Sequence, residues 1–180
     1  MNSSKLIFTP INNTCDIVPT NTLEVALYLA KKGVVSVGEI DPKYCGGFEL
    51  VEEYNIDPDA AIKCLIIEGK RNKTKKYAAL LVPIKYECDV SEVKEVLNVK
   101  TISFAKLDYV LEQTNMELGS ITPIGIPEDW YVFVDSMVFE QKYIIIGGGL
   151  KNSKLMLASE LLKKLPNSFV LDNLAKEGVE

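Results

Sequence analysis

Two β-rich runs separated by a short polar segment constrain the fold of this chain more than any other feature. The runs cover residues 61–67 and 77–83, and the polar segment 68–76 joins them. Short apolar runs with a polar connection between them predict two antiparallel strands of a hairpin. We therefore expect a β-hairpin near the middle of the chain.

Both helical and strand patterns flank this hairpin. Helices are predicted at 21–32, 48–54, 89–97, 106–113 and 159–165, and strands at 34–37, 99–104, 130–134, 143–146 and 154–157. Asp89 and Glu92 have the spacing of a capping box at the start of the third helix. Strands adjoin one another as often as they are separated by helices, which favours an α+β fold with a mixed sheet. The chain after Asn173 is expected to fray.

The chain has 180 residues and no histidine. This length suits one globular domain. The absence of imidazole excludes Ser–His and Cys–His nucleophile pairs and every zinc site that contains histidine. Chemistry must then depend on Lys, Asp, Glu, backbone amides or groups of the substrate. The net charge of −5 means that a polyanion would have to bind a local basic patch.

The four cysteines predict neither a disulfide framework nor a metal centre. They are Cys15, Cys45, Cys64 and Cys88, and none belongs to a CxxC pair. We expect free thiols in a reducing compartment, with no metal and no cofactor. No apolar run is long enough to span a bilayer, and the first residues lack the apolar core of a signal peptide. The sequence therefore predicts a cytoplasmic protein.

Lys63 stands alone within an apolar strand. Strand alternation places its side chain on the face that also carries Ala61, Leu65 and Ile67. A lysine in this position either extends its ammonium group to water or pairs with an anion, because an unpaired buried charge is costly. The pattern leaves both interpretations open, a solvated lysine and a ligand-facing one.

Two glycine-containing loops are candidates for binding or catalysis. Residues 119–123, here called the GxxxP loop, have a backbone that can approach a ligand closely and direct amides at an oxyanion. Residues 147–149 form a triple-glycine turn after a predicted strand, which is typical of an amide nest for phosphate or carboxylate. The turn lacks the spacing of a dinucleotide site or a P-loop. A plain connection is the alternative for either loop.

A basic run lies at the predicted tip of the hairpin. Residues 70–76 hold five of the 20 Lys and Arg residues of the chain. Such a run is able to bind a nucleic-acid backbone. It is also typical of a solvated loop. No aromatic residue interrupts it, so stacking of single-stranded bases is not indicated.

The order of these features resembles the YbaK/prolyl-tRNA-synthetase-associated editing domain family, which hydrolyses mischarged aminoacyl-tRNA. The matching stretches are 61–67, 119–125 and 143–149, within a resemblance that runs from about residue 48 to residue 165. The resemblance implies an α+β fold with a mixed, partly barrel-like β-sheet and flanking helices. It implies a single domain over 1–180, with a divergent segment 1–47, an editing core 48–165 and a tail 166–180.

The resemblance also implies a role for each matching residue. Lys63 would engage the phosphate or ribose of the terminal adenosine of the tRNA, and the loop amides would hold the aminoacyl carbonyl. The residues implied at the catalytic centre are Lys63, Gly119, Ser120 and Ile121. Those implied in substrate binding are Thr122, Pro123, Asp135, Gly147, Gly148 and Gly149. Weaker contacts to the tRNA backbone are expected from Lys70, Arg71, Lys73, Lys75, Lys76 and Lys151.

The implied activity is trans-editing deacylation of a small amino acid, Ala, Cys, Ser or Pro, from tRNA, including tRNA for proline. Water would attack the ester, backbone amides would stabilise the oxyanion, and a ribose hydroxyl would help to position the water. The implied partners are the acceptor end of aminoacyl-tRNA and an aminoacyl-tRNA synthetase, with no DNA and no membrane.

Two alternatives accompany this prediction. The first is a non-catalytic homologue that binds tRNA or a synthetase. Ser120, where many members of the family have a second glycine, and the acidic net charge favour it. The second alternative is a small-nucleotide-binding protein that uses the triple-glycine turn.

Overall fold

The predicted hairpin is present in the computed structural model, which describes residues 4–178. Its two strands pair without a break from Ile62 opposite Pro83 to Arg71 opposite Thr74. Both strands are longer than predicted, because the polar residues on either side of the turn continue the ladder. Asn72 has a φ of 56°, the left-handed conformation that suits a two-residue hairpin turn. The hairpin prediction is confirmed.

Short strands and helices surround the hairpin. The strands are β1 Phe8–Pro10, β2 Val35–Glu39, β3 Ile62–Arg71, β4 Thr74–Pro83, β5 Tyr86–Cys88, β6 Thr101–Phe104, β7 Tyr131–Asp135, β8 Tyr143–Gly147, β9 Ser153–Ala158, β10 Ser168–Leu171 and β11 Ala175–Glu177. The α-helices are α1 Thr20–Ala30, α2 Gly47–Tyr54, α3 Ser91–Leu97 and α4 Leu107–Thr114. Three 3₁₀ segments cover Pro42–Tyr44, Ser136–Glu140 and Ser159–Lys164.

The strands form two main sheets that meet at one corner. One sheet has the order β10-β7-β4-β3-β6 and the other β1-β2-β9-β8, while β11 and β5 form a separate pair. The first sheet is mixed, because β7 runs parallel to both β4 and β10. A parallel bridge between Ala61 and Ile145 joins the two sheets. The predicted α+β fold with a mixed sheet and flanking helices is confirmed, although the sheets do not close into a barrel.

The main core lies between the two sheets. It combines residues of the smaller sheet, such as Leu155 and Leu157, with residues of the larger sheet, such as Leu81 and Val134, all of them fully buried. Helix α1 covers this core with the buried residue Ala26 and its neighbours. No helix within residues 4–178 has the length and apolar character needed to cross a bilayer.

The predictions of a capping box at Asp89 and of a closing α-helix are wrong. The side chain of Asp89 accepts a hydrogen bond from the Ser91 amide at 2.9 Å, but Glu92 bonds to Asn173 and does not complete a capping box. The closing helix is a 3₁₀ segment, Ser159–Lys164, rather than an α-helix. It is short because Pro166 follows closely and cannot continue a helix.

The segment after Asn173 is not frayed over its described part. Leu174 is fully buried, and β11 pairs antiparallel with β5 from Ala175 opposite Cys88. The amide of Ala175 also donates to the Asp135 carboxylate at 2.6 Å. Its position near the end of the chain suggested that this segment is unpaired. The buried Leu174 and the Asp135 carboxylate instead hold it against the fold. Residues 179 and 180 lie outside the described part of the chain.

Glu68 is a buried carboxylate in the middle of β3. Its side chain is 8% exposed and pairs with Lys70 at 2.7 Å and with Lys75 at 3.1 Å. Tyr77 donates a further hydrogen bond at 2.7 Å. Burial alone would raise the pKa of Glu68, but the hydrogen bonds from Lys70, Tyr77 and Lys75 together lower it to about 2. The folded state therefore favours the ionised form.

We expect Glu68→Gln to lower the free energy of unfolding at pH 7 by about 1–2 kcal/mol, since both ammonium partners are half-exposed and screened. A lowered carboxyl pKa stabilises the fold above its unfolded value of 4.5, and this contribution is lost as the pH falls toward about 2. Urea unfolding of both proteins, at pH 7 and again near pH 2, measures the difference. Glu160→Gln, which removes an exposed pair with Lys163, is the control and should cost less than about 0.5 kcal/mol. Equal stability of Glu68→Gln and the wild type at pH 7 would contradict the expectation.

Candidate functional site

A cavity of about 460 Å³ opens at the corner where the two main sheets meet. Its walls come from the first half of β3, the end of β8, the start of α2, the connection from β6 to α4, and the beginning of the GxxxP loop. Most of its lining is apolar. The charged lining residues within the described chain are Lys63 and Lys154, and none is acidic. The cavity therefore suits a partly apolar ligand that carries negative charge or hydrogen-bond acceptors.

The edge of β3 that faces the cavity is unpaired over a short stretch. On this side β6 pairs with β3 as far as Ile67, and the Ile66 carbonyl accepts a bond from the Ala105 amide at 3.0 Å. The next strand contact in the described chain is the bridge at Ala61. Because residues two apart direct their polar groups to the same edge, the N–H and C=O of Cys64 face the gap. They offer a ligand one backbone donor and one acceptor.

Lys63 lies within this unpaired stretch and lines the cavity. It is half-buried and sits opposite Val82 of β4. Among residues 4–178 its ammonium group has neither an ion pair nor a side-chain hydrogen bond. Burial raises the pKa of the Cys88 thiol to about 11, and the charge of Lys63 opposes that rise. The geometry leaves the lysine free to bind an anionic ligand.

The GxxxP loop is held between two parts of the fold. A Cβ at Gly147 would lie 2.5 Å from the Ser120 carbonyl oxygen, and a Cβ at Gly119, where φ is 89°, would lie 2.6 Å from the Cys45 Sγ. Glycine at both positions therefore lets the loop backbone rest directly on the end of β8 and against the segment before α2. The Gly149 amide also donates to the Ser120 carbonyl at 2.8 Å. These contacts fix the position of the loop beside the cavity.

The amides of the GxxxP loop differ in what they can bind. The N–H of Ser120 donates to the Glu117 carbonyl at 3.1 Å, and Ser120 is 1% exposed. This amide is therefore occupied within the loop, and its role as an oxyanion donor stays a prediction. Gly119 and Ile121 line the cavity, and their N–H groups have no hydrogen-bond partner among the described residues. Two of the three predicted loop amides are therefore unbonded beside the cavity.

Four predicted substrate-binding positions lie behind the cavity wall. The amide of Gly148 donates to the Ser153 carbonyl at 3.2 Å, and the amide of Gly149 is bonded to the GxxxP loop. The triple-glycine turn thus offers no nest of free amides, contrary to the prediction, although Gly147 lines the cavity. Thr122 is fully buried, and Pro123 contacts a separate, smaller cavity. These residues support the loop and do not line the main cavity.

Asp135 also lies away from the cavity. Its fully buried carboxylate accepts hydrogen bonds from the amides of Met137 at 2.9 Å and Ala175 at 2.6 Å. It therefore anchors the 3₁₀ segment after β7 and the start of β11. Both of its oxygens bind the backbone of its own fold, which is a supporting role, and a contact of Asp135 with the substrate stays a prediction.

The basic hairpin tip is remote from the cavity. Lys70 and Lys75 pair with Glu68, Arg71 donates to the Asn98 side chain, and Lys76 donates to the Leu97 carbonyl; Lys73 occupies the turn. The tip lies about 25 Å from Lys63 along β3, at about 3.3 Å per residue. Lys151 is exposed on the turn before β9, where its amide donates to Glu117. Contacts of these residues with the tRNA backbone stay a prediction.

Two residues that the sequence reasoning missed belong to the cavity. Lys154 of β9 is 4% exposed, and Phe104 at the end of β6 is 75% exposed. Lys154 carried the same signal as Lys63, a single lysine in an apolar strand. Phe104 had no signal, because only the fold places its ring beside the cavity. Within residues 4–178 no group of three or more acidic or cysteine side chains could hold a metal ion.

Solved structures share this architecture. A protein described as a candidate trans-editing enzyme for prolyl-tRNA synthetase superposes with a TM-score of 0.70 at 20% identity, over 89% of this chain and 99% of that one. A hypothetical protein superposes with a TM-score of 0.72 at 18% identity, over 85% of this chain and 99% of that one. At such identities the likeness establishes the fold alone.

Sequence relatives are longer proteins. The chain is 31% identical over 110 residues to proline–tRNA ligase of Bacillus cytotoxicus, covering 61% of this chain and 18% of the ligase. It is 30% identical over 90 residues to proline–tRNA ligase of Geobacillus kaustophilus, covering 50% of this chain and 15% of the ligase. The chain thus spans less than a fifth of the length of these relatives.

The sequence pattern of the aminoacyl-tRNA editing domain matches residues 48–165. This range contains the unpaired edge of β3, the GxxxP loop and the end of β8, which together build most of the cavity. It leaves out β1, α1 and β2 on one side and β10 and β11 on the other. The chain belongs to the aminoacyl-tRNA editing domain family.

Proposed function

We propose that this chain is an aminoacyl-tRNA deacylase that hydrolyses, in trans, the ester between a mischarged small amino acid and its tRNA. Membership of the editing domain family supports this proposal. The observation that carries it is the placement of Lys63 and of the unbonded amides of Gly119 and Ile121 around one cavity. These are the groups that ester hydrolysis needs in a chain without histidine.

The two loop amides would stabilise the oxyanion that forms when water attacks the ester carbonyl. Their positions are fixed by the contacts of the GxxxP loop with Gly147 and Cys45, so little reorganisation accompanies the reaction. An ester is already activated toward water. A ribose hydroxyl of the tRNA would position the attacking water and pass its proton to the ribose oxygen that leaves as the acyl–oxygen bond breaks. No side-chain nucleophile is required.

Lys63 would bind the phosphate or ribose of the terminal adenosine. Its ammonium group is unpaired within the described chain, and no acidic residue of that part lines the cavity to compete for it. The free N–H and C=O of Cys64 provide further hydrogen bonds to the same ligand. The acceptor end of aminoacyl-tRNA is thus the proposed partner. Because the sequence relatives are proline–tRNA ligases, tRNA for proline and its synthetase are the first partners to test.

We further propose that residues 1–180 act as one domain in the cytoplasm, where charged tRNA is made and used. Strand β2, from outside the region that the family pattern matches, pairs with β9 inside it from Val35 opposite Leu157 to Glu39 opposite Ser153. Removing the N-terminal segment would therefore expose one side of β9.

Phe104 is positioned to stack on the terminal base. Its ring is 75% exposed at the cavity, so it contributes little to the core. We expect Phe104→Ala to lower kcat/KM for deacylation about tenfold, the usual effect of losing one base–aromatic stack. The melting temperature should stay within about 2 °C of the wild type.

Phe104→Trp is the matched variant, because it keeps an aromatic face and should retain activity near the wild-type level. Initial rates at several concentrations of charged tRNA would compare the three proteins. An unchanged kcat/KM in Phe104→Ala would show that the ring does not contact the substrate.

The alternative is a non-catalytic homologue that binds charged tRNA or a synthetase. It is favoured by the internal bond of the Ser120 amide, which leaves the loop one oxyanion donor fewer than predicted. Release of amino acid from tRNAs charged with Ala, Cys, Ser or Pro separates the two functions. Turnover on any member of the panel supports the deacylase. Tight binding of charged tRNA without release of the amino acid supports the non-catalytic homologue.

A further inference from the structure

Lys154 is a buried lysine without a partner. Its side chain is 4% exposed, and it lines the cavity described above. Among residues 4–178 it forms neither an ion pair nor a side-chain hydrogen bond. An ammonium group that is removed from water without a counter-charge is costly to the fold. A lysine that is buried without a counter-charge indicates that a ligand supplies the negative charge.

Strand alternation directs Lys154 away from the main core and toward the cavity. Its neighbours Ser153 and Leu155 are fully buried on the core side of β9. The residues opposite Lys154 on the adjacent strands are Gly38 of β2 and Gly147 of β8. Because both are glycines, no side chain of a directly paired residue lies beside the lysine on this face of the sheet.

The start of α2 closes the same part of the cavity. Gly46 and Gly47 line it together with Lys154. No side chain caps this eight-residue helix, and the amides of its first turn have no partner among the described residues. Unpaired N–H groups at a helix start attract anions. Two independent features, a buried ammonium group and the unpaired amides of a helix start, thus belong to the same part of the cavity.

The ionisation state of Lys154 agrees with this placement. Burial lowers its pKa to about 8, and the nearby Cys45 thiol acts in the opposite direction. At neutral pH the amine is still mostly protonated and is able to pair with an anion. An anion bound there would restore part of the free energy lost on burial.

We propose that Lys154 and the amides at the start of α2 form an anion-binding subsite of the cavity, whose ligand is a carboxylate or a phosphate group. The inference rests on the proposed function only in that both use one cavity. Because the subsite can be tested by binding alone, its failure and the failure of the deacylase proposal are distinguishable. A carboxylate would mean that the cavity takes an acidic amino acid instead of the small neutral ones of the proposed substrate panel, and a phosphate would assign the subsite to the nucleotide.

The test uses two pairs of probes, each an anion with its neutral analogue: propionate with propionamide, and AMP with adenosine. Each is titrated into the wild type, Lys154→Met and Lys164→Met while backbone amide resonances are followed by NMR. Methionine has nearly the length of lysine without its charge, and Lys164 is an exposed control outside the cavity lining. We expect one charged probe to bind the wild type at least tenfold more tightly than its neutral analogue, with shifts at Gly46, Gly47 and Gly147.

This preference should vanish in Lys154→Met and persist in Lys164→Met. A preference for propionate over propionamide assigns the carboxylate, and a preference for AMP over adenosine assigns the phosphate. Equal binding of charged and neutral probes by the wild type would overturn the proposal, and that comparison needs no variant to fold. A preference that survives in Lys154→Met would overturn it as well.

Thermal melting supplies a second readout. Removing an unpaired buried charge should raise the melting temperature of Lys154→Met above that of the wild type, by about 2–4 °C. A lysine with a structural role would give the opposite sign. A lower melting temperature together with an unchanged probe preference would assign Lys154 to the fold.

Discussion

Lys63→Ala is expected to lower kcat/KM for release of the amino acid from charged tRNA by at least about 100-fold, the scale for losing one charge-stabilising contact in an active site. Lys63 lines the cavity on the unpaired stretch of β3, and its ammonium group has no partner in the described chain. Its loss should therefore remove a substrate contact without breaking an internal one. The melting temperature should change little.

Two variants make the comparison specific. Lys63→Arg keeps the positive charge and should retain more activity than Lys63→Ala. Lys164→Ala removes an exposed lysine outside the cavity lining and should leave the rate unchanged. Initial rates below saturation give kcat/KM directly, and circular dichroism shows whether each variant is folded. A well-folded Lys63→Ala protein with activity within threefold of the wild type would exclude Lys63 from the site.

Gly147→Ala should both reduce activity by at least about 100-fold and destabilise the protein by about 2–4 kcal/mol. A Cβ at this position would lie 2.5 Å from the carbonyl oxygen of Ser120 and 2.7 Å from that of Ile121. Both neighbours are backbone atoms, so a rotamer change cannot relieve the clash. The GxxxP loop must move, and the amides of Gly119 and Ile121 move with it, which misplaces the oxyanion donors.

Gly178→Ala is the matched control, because its Cβ would meet Glu87 at an ordinary contact distance of 3.6 Å. It should leave stability and kcat/KM near the wild-type values. Urea unfolding and initial rates of the three proteins are the measurements. Wild-type activity in Gly147→Ala would show that the position of the GxxxP loop does not determine the reaction.

The sequence predicted the parts of the fold that carry strong local signals. The hairpin, the four α-helices and the strands that flank the triple-glycine turn were predicted from apolar patterns and from residues that mark the ends of helices. The short strands β1, β5, β10 and β11 were missed, because three or four residues are too few for a period to appear. Their pairing depends on distant partners, such as the Asp135 carboxylate that holds Ala175.

The site was predictable in outline but not in its hydrogen bonds. Lys63 and the GxxxP loop were found from their residue types and from a family resemblance. Whether a given amide is free depends on the three-dimensional path of the chain, and the Ser120 amide is occupied by Glu117 three residues earlier. Lys154 of β9 and Phe104 of β6 both line the cavity. No local sequence pattern predicts that these two strands lie beside the same cavity.

The most direct measurement is release of labelled amino acid from tRNAs charged with Ala, Cys, Ser and Pro, with the protein far below the substrate concentration. The structure and the family together predict many turnovers per protein molecule on at least one of these substrates. That activity should fall to the uncatalysed rate in Lys63→Ala. Hydrolysis no faster than the uncatalysed rate on every substrate, by a folded protein that binds charged tRNA, would contradict the proposed deacylase.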